Sequence, residues 1–128
     1  MSKYKFDFNL DDNSIVSTMV KSIKEHSVVL EFGPANGRLT KFLKEKLNCA
    51  VDIVEIDEES GKEAACYARN ALIGPETGDI DTFKWLDTFK DQKYDYIIFA
   101  DVLEHLRYPE KVIASTFDIL KFDGRVLI

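Results

Sequence analysis

The run VVLEFGPANGRLTKFL, residues 28–43, constrains the fold more than any other part of the chain. A short apolar stretch closes on Glu31-Phe32, threads Gly33-Pro34-Ala35-Asn36-Gly37, and resumes with helical spacing at Leu39, Phe42, Leu43 and Leu47. A buried strand that passes so directly into a helix brings bare main chain to the mouth of a sheet. The same alternation recurs downstream. Residues 27–32 read as a first strand, 50–56 (AVDIVEI) as a second and 71–73 as a short third. Residues 94–100 (YDYIIFA) read as a fourth, covered on both faces, and 125–128 begin a fifth.

The intervening segments carry helical signals. Asp11-Asp12-Asn13-Ser14 offer cap residues before an apolar face of Ile15, Val16, Met19, Val20 and Ile23. Residues 58–71 read as a helix whose small face, Gly61, Ala64, Ala65 and Ala68, can lie close on a sheet. Residues 74–79 are rich in turn formers and read as loop. Phe83, Trp85, Leu86 and Phe89 suggest a short helix. Pro109 opens a last helix with Val112, Ile113, Phe117 and Leu120 as its buried stripe, and Gly124 is expected to break it. Strands alternating with helices imply right-handed crossovers and an α/β fold, with a doubly wound, mostly parallel sheet in three α/β/α layers. The division expected is an N-terminal helical segment, 1–26, and a core, 27–128. The chain stops inside the apolar strand VLI. A bare apolar edge is a liability, so the core is read as truncated after strand five, with more protein, including a fused domain, expected beyond residue 128.

Composition narrows the function classes. A 128-residue chain with 45% hydrophobic residues can bury a real core. Its net charge of −6 disfavours a sequence-independent grip on nucleic acid, which wants clustered cations. Lys41, Lys44 and Lys46, beside Glu45, read as a solvated helix face. Cys49 and Cys66 have neither metal nor redox spacing and read as buried small hydrophobes, which suits a reducing cytoplasm. No signal core and no run of membrane-spanning length is present. Neither a metal, a nucleic acid nor a membrane is expected as partner.

Ligands of doubly wound sheets bind outside the carboxyl ends of the strands, where residues 33–37 should lie. Gly33 permits close backbone approach, Ala35 is the next smallest side chain, Asn36 can cap the helix, and Gly37 lets it start tightly. A turn without any ligand is the plain alternative. A P-loop would need Lys-Ser or Lys-Thr after Gly37, where Arg38-Leu39 stand. A dinucleotide fingerprint would need glycine at Ala35 and Arg38. Glu31 would repel a pyrophosphate and suits a ligand with positive charge. Glu55, ending the second strand, can accept both hydroxyls of a ribose. Asp57 is either its neighbour in that role or the cap of the next helix. Asp79 can accept from an exocyclic amine with Ile80 against a flat ring, or merely serve the turn.

These pieces resemble a family. VLEFGPANG resembles the first motif of class I S-adenosylmethionine-dependent methyltransferases, VEID their second-strand acid, and GDI their adenine segment. ADVLEHL is similar to their fourth-strand segment and ILKFDGRVLI to the entry into strand five. The similarity runs over residues 28–128 and departs at Pro34, at Ala35 for the middle glycine, and at Phe122-Asp123 where Pro-Gly is common. It implies a Rossmann-like methyltransferase fold with S-adenosylmethionine as cofactor. Gly33, Pro34, Ala35, Asn36 and Gly37 would line its methionine part, with Glu31 near the ammonium. Glu55 would hold the ribose, Ile56 the adenine face, and Asp79 with Ile80 the adenine edge, with Glu76 a competitor for Asp79. Ala100 and Asp101 would face the methionine end.

The ADVLEHL wording resembles O-methyltransferases of the ubiquinone-biosynthesis type and methyltransferase modules attached to glycosyltransferases. The acceptor implied is therefore a hydroxyl of a small molecule or sugar. A hydroxyl acceptor profits from a base, worth about 10²–10⁴ in rate. His105, an imidazole four residues past Asp101, is the candidate; packing behind the ligand is its other role. Tyr4, Phe6 and Phe8 would either form a lid or pack on the core. The alternative to an enzyme is a non-catalytic binding or interaction module of a larger protein. A nicotinamide oxidoreductase is disfavoured by Arg38 and the missing glycines.

Overall fold

Residues 15–128 are described by a computed structural model, with side chains from residue 18 onward. The caps expected at 11–14 and the aromatic lid expected at Tyr4, Phe6 and Phe8 lie outside the described residues. Five strands, β1 (Val28–Phe32), β2 (Ala50–Glu55), β3 (Asn70–Ile73), β4 (Tyr94–Phe99) and β5 (Leu120–Leu127), form one sheet. Its order is β3-β2-β1-β4-β5, and every pairing is parallel. The chain winds outward from β1 to β3, then returns to the far side of β1 with β4. Strand order therefore reverses between β1 and β4, the position where such sheets open a crevice.

Strand alternation divides the apolar side chains between two layers. On one face Val29, Val51, Ile53, Tyr96 and Ile98 meet Leu39 and Leu43 of α2 (Arg38–Leu47) and Ala64 of α3 (Glu58–Ala65). Met19, Val20 and Ile23, on and just after α1 (Ile15–Lys21), join that face. On the other, Leu30, Phe32, Val54, Ile97 and Phe99 meet Trp85 of α5 (Lys84–Thr88) and Val112 of α6 (Pro109–Thr116). No helix among the described residues is long and apolar enough to cross a membrane.

Several local expectations fail for tertiary reasons. The helix expected over 58–71 stops at Ala65. Buried Asp52 draws in the following chain: Arg69 donates to it through Nε (3.1 Å) and Nη2 (2.7 Å), Asn70 Nδ2 at 3.0 Å and Tyr94 Oη at 2.6 Å. A fully buried carboxylate needs such donors, and meeting them ends the helical path before Arg69 and starts β3 at Asn70. Cys66, expected buried, is exposed at the end of α3, whereas Cys49 is buried. The loop expected at 74–79 contains a single helical turn, α4 (Gly74–Thr77), closed by Gly78 N donating to Gly74 O at 2.7 Å.

The last helix also ends early. Phe117 leaves the expected stripe and is 61% exposed, while Ile119, in the 3₁₀ turn Phe117–Ile119, fills the core. Gly124 does not break a helix but lies within β5. There Tyr94 pairs with Leu120 and Tyr96 with Arg125, so the intervening residues of β5 bulge outward. A Cβ on Gly124 would sit 2.8 Å from Tyr94 O, which is why glycine is needed at this close approach.

Candidate functional site

The carboxyl ends of β1, β2, β3 and β4 bring the expected loops together. Gly33 N continues the ladder by donating to Val54 O at 2.9 Å, and the chain then takes left-handed conformations at Gly33, Ala35 and Gly37 (φ 70°, 55° and 88°). A Cβ on Gly37 would lie 2.5 Å from Ala64 Cα, so only glycine lets α2 start against α3. Asn36 does not cap α2 as expected. The cap position is Gly37, no side chain bonds there, and Asn36 Oδ1 is buried without a partner among the described residues. The left-handed turn at Gly37 carries Asn36 away from the amides that it would need.

Ala35 carries the strain of a left-handed alanine, about 1–2 kcal/mol. Its amide donates to Glu55 Oε1 at 2.7 Å, and the Asp57 amide donates to Oε2 at 2.9 Å. The Glu55 carboxylate is thus fixed at the end of β2 by two main-chain groups, each oxygen keeping a second lone pair. Asp57 caps α3 through Ser60 N at 2.9 Å. Ile56, one residue past Glu55, leaves its apolar side chain 52% exposed at the sheet mouth.

Beneath the turn, Glu31 is 2% exposed and accepts a 2.6 Å hydrogen bond from Thr40 Oγ1 of α2. Burial pushes its pKa up to about 7; the Thr40 hydroxyl pulls against this, and the nearby Glu55 charge adds to it. The first turn therefore overlies a carboxyl group that is part-protonated at neutral pH.

The adenine-side candidates sit on a second turn. A Cβ on Gly78 would approach within 2.1 Å of Glu55 O, so residues 78–80 lie directly against the end of β2. Asp79 Oδ1 accepts Asp81 N at 3.0 Å and opens the 3₁₀ turn Ile80–Thr82. Ile80 is buried, and its carbonyl accepts Trp85 Nε1 at 2.9 Å. Trp85 in turn meets Phe32 edge-on at 4.9 Å, and Phe32 stacks on Phe99 at 4.7 Å. Glu76 is exposed on α4. After β4, Ala100 is half-buried and Asp101 is exposed in a left-handed conformation. Val102 packs on Gly33, where an added Cβ would come within 3.0 Å. His105 lies in the 3₁₀ turn Leu103–His105, its side chain 75% exposed, with Nε2 3.5 Å from Glu104 Oε1.

Thr40 and Asp81 are not singled out in the sequence, and Trp85 is named there only as part of a short helix. Thr40 had a signal, a hydroxyl beside Leu39 on the inward stripe of an amphipathic helix. Trp85 had another, since a buried indole needs an acceptor. A polar cavity of about 240 Å³, lined by Ser22, Lys24, Ser27, Asp95, Tyr96, Asp123 and Arg125, lies at the opposite, amino ends of the strands.

The methyltransferase-domain family matches residues 10–128. An uncharacterized protein of Methanocaldococcus jannaschii is 27% identical over 97% of this chain, which spans 56% of that protein. Among solved structures, a TehB-like SAM-dependent methyltransferase from Corynebacterium glutamicum superposes with TM-score 0.67 at 19% identity, over 90% of this chain and 61% of its own. Coclaurine N-methyltransferase, bound to N-methylheliamine and S-adenosylhomocysteine (SAH), superposes with TM-score 0.66 at 20% identity, over 98% of this chain and 38% of its own. The chain thus spans between about two-fifths and three-fifths of these relatives' lengths. From residue 10 to its last residue the chain belongs to the methyltransferase-domain family, the class I fold whose cofactor is S-adenosylmethionine.

Proposed function

We propose that this protein holds S-adenosylmethionine at the carboxyl ends of β1, β2 and β4 and methylates an oxygen of a small molecule or sugar. The observation that carries the reading is Glu55, a carboxylate pinned between two amides at the end of β2 with lone pairs still open for ribose hydroxyls. The residues around it suit an adenosyl ligand. Ile56 offers an exposed apolar surface to a flat ring, and Asp79 with Ile80 borders the same edge. The orphaned Asn36 Oδ1 gives the 33–37 turn an acceptor in need of a donor. Gly33, Pro34, Ala35 and Gly37 form the methionine cradle, with Ala100 and Asp101 closing its far side. Glu31 below the turn would meet an ammonium or sulfonium as the carboxylate, since a nearby positive charge favours the ionised form over the protonated one.

When bound, the cofactor supplies a methyl group on positive sulfur, already activated for in-line displacement. The chain's task is alignment, worth up to about 7–11 kcal/mol in well-oriented systems. His105 would take up the proton that the acceptor hydroxyl gives up, and Glu55 with the 33–37 turn would hold the cofactor in place. Cys49 and Cys66 are both free thiols, in keeping with a reducing cytoplasm as the setting.

Calorimetric titration with SAH tests the binding half: saturable heat with a matching thermal shift is expected, and silence at millimolar ligand refutes it. Transfer of labelled methyl to hydroxyl acceptors tests the catalytic half. Binding without transfer to any acceptor, by a longer chain that includes these residues, would favour a non-catalytic module.

A further inference from the structure

Asp81 lies two residues past Asp79, inside the 3₁₀ turn Ile80–Thr82. Its carboxylate reaches across to the loop that follows β4. Arg107 N donates to both oxygens, at 3.2 Å and 3.1 Å, and Tyr108 N donates to Oδ1 at 3.4 Å. Tyr108 is the residue before α6, and no side chain caps that helix locally. An acid from 26 residues away thus binds the amides just ahead of a helix start, where the backbone donors and the helix dipole both favour a negative charge.

The two ends of this bridge differ in how they are bonded and packed. On the Asp81 side, the turn is bonded to Asp79 and held from below by Trp85, which is packed against Phe32 at the end of β1. On the other side, the Leu103–His105 turn buries no residue and Glu104 and His105 are exposed. Within residues 101–108 the long-range tethers include the contact of Val102 with Gly33, partial burial of Val102, Leu103 and Leu106 against the core, and the Asp81 bridge.

We propose that Asp81 is a positioning residue that couples the nucleoside side of the site to its acceptor side: occupation of the Asp79–Ile80 edge is transmitted through the Asp81 carboxylate to residues 101–108, fixing where Asp101 and His105 stand. The inference rests on the cofactor reading above and adds to it a physical link between the two halves of the site. The contrasting role is a purely structural helix cap, indifferent to ligand.

Amide hydrogen exchange, resolved to Arg107 and Tyr108, separates these roles in wild type, Asp81→Ala and Asp81→Asn, each with and without SAH at a concentration calorimetry shows to saturate. Without ligand, Asp81→Ala should exchange these two amides about tenfold faster, as loss of a charged acceptor requires. With SAH, wild type should slow them further, while Asp81→Ala with bound SAH shows no ligand-dependent slowing. Asp81→Asn, which keeps the side-chain volume and one acceptor oxygen, should fall between. Ligand-dependent slowing of equal size in wild type and both variants overturns the coupling and leaves a helix cap. The coupling is equally overturned by SAH binding to wild type with no slowing at Arg107 and Tyr108. Failure of wild type to bind SAH at all overturns the cofactor reading, and the coupling with it.

Discussion

Replacing Glu31 with glutamine should reshape the pH dependence of stability. The unfolded carboxyl titrates at 4.5, and burial beneath the turn moves the folded group to about 7. Below pH 4.5 both states are protonated and ionisation costs nothing. Between 4.5 and 7 the folded chain keeps a proton that the unfolded chain has lost, so stability falls as pH rises. Above 7 the full penalty is in place. At about 1.4 kcal/mol for each tenfold change in proton affinity, it amounts to about 3 kcal/mol. Glutamine cannot ionise, still accepts from Thr40 Oγ1 and removes the repulsion with Glu55. Urea unfolding from pH 4.5 to 8, extrapolated linearly to water, reads the effect. At the acid end the two proteins should differ only by whatever the amide hydrogens of the variant lose by burial. By pH 8 the variant should be the more stable by up to about 3 kcal/mol, less whatever its amide hydrogens lose by burial. Other carboxyl groups titrate in both proteins and cancel in the difference. Curves that stay parallel across this range would show that Glu31 is not held in a desolvated site, and the account of the turn above it would fail.

The remaining predictions concern the supports of the site. Glu55→Ala should weaken SAH binding by about 1–3 kcal/mol in calorimetry, because ribose hydroxyls and the Ala35 amide lose one charged acceptor; unchanged affinity would remove Glu55 from the site. Ala35→Gly should leave the fold intact and stabilise it by up to about 1 kcal/mol in urea, since relief of the left-handed strain exceeds the added chain entropy. Asp52→Ala should cost about 3 kcal/mol, the lower end for breaking a buried pair, because the Arg69 side chain is 38% exposed and can turn to water. A loss below 1 kcal/mol would mean that the Asp52 network does not hold β3 in place.

The positions of the candidate site's main parts are legible in local sequence because each rests on local chemistry. Glycines in the turn after β1, an acid ending β2, and Asp57 before α3 announce themselves through backbone freedom, strand length and capping. The supports beneath them are not legible, since each joins residues far apart in the chain. Thr40 meets Glu31 across a helix–strand contact, Trp85 reaches Ile80 beneath a turn, and Asp81 spans to Arg107. Asn36 fails as a cap for the same reason: its residue type suits the role, but the turn imposed by packing Gly37 against Ala64 points it elsewhere.

By itself, the sequence determined the alternation of buried strands and amphipathic helices, hence right-handed crossovers and a parallel sheet, because hydrophobic periodicity is a property of neighbouring residues. Only the tertiary structure decided where α3 ends, how β5 bulges at Gly124, and that Glu31 sits in a site able to hold its proton. Each of those outcomes depends on desolvation or close contact, and both arise only when distant segments exclude water together.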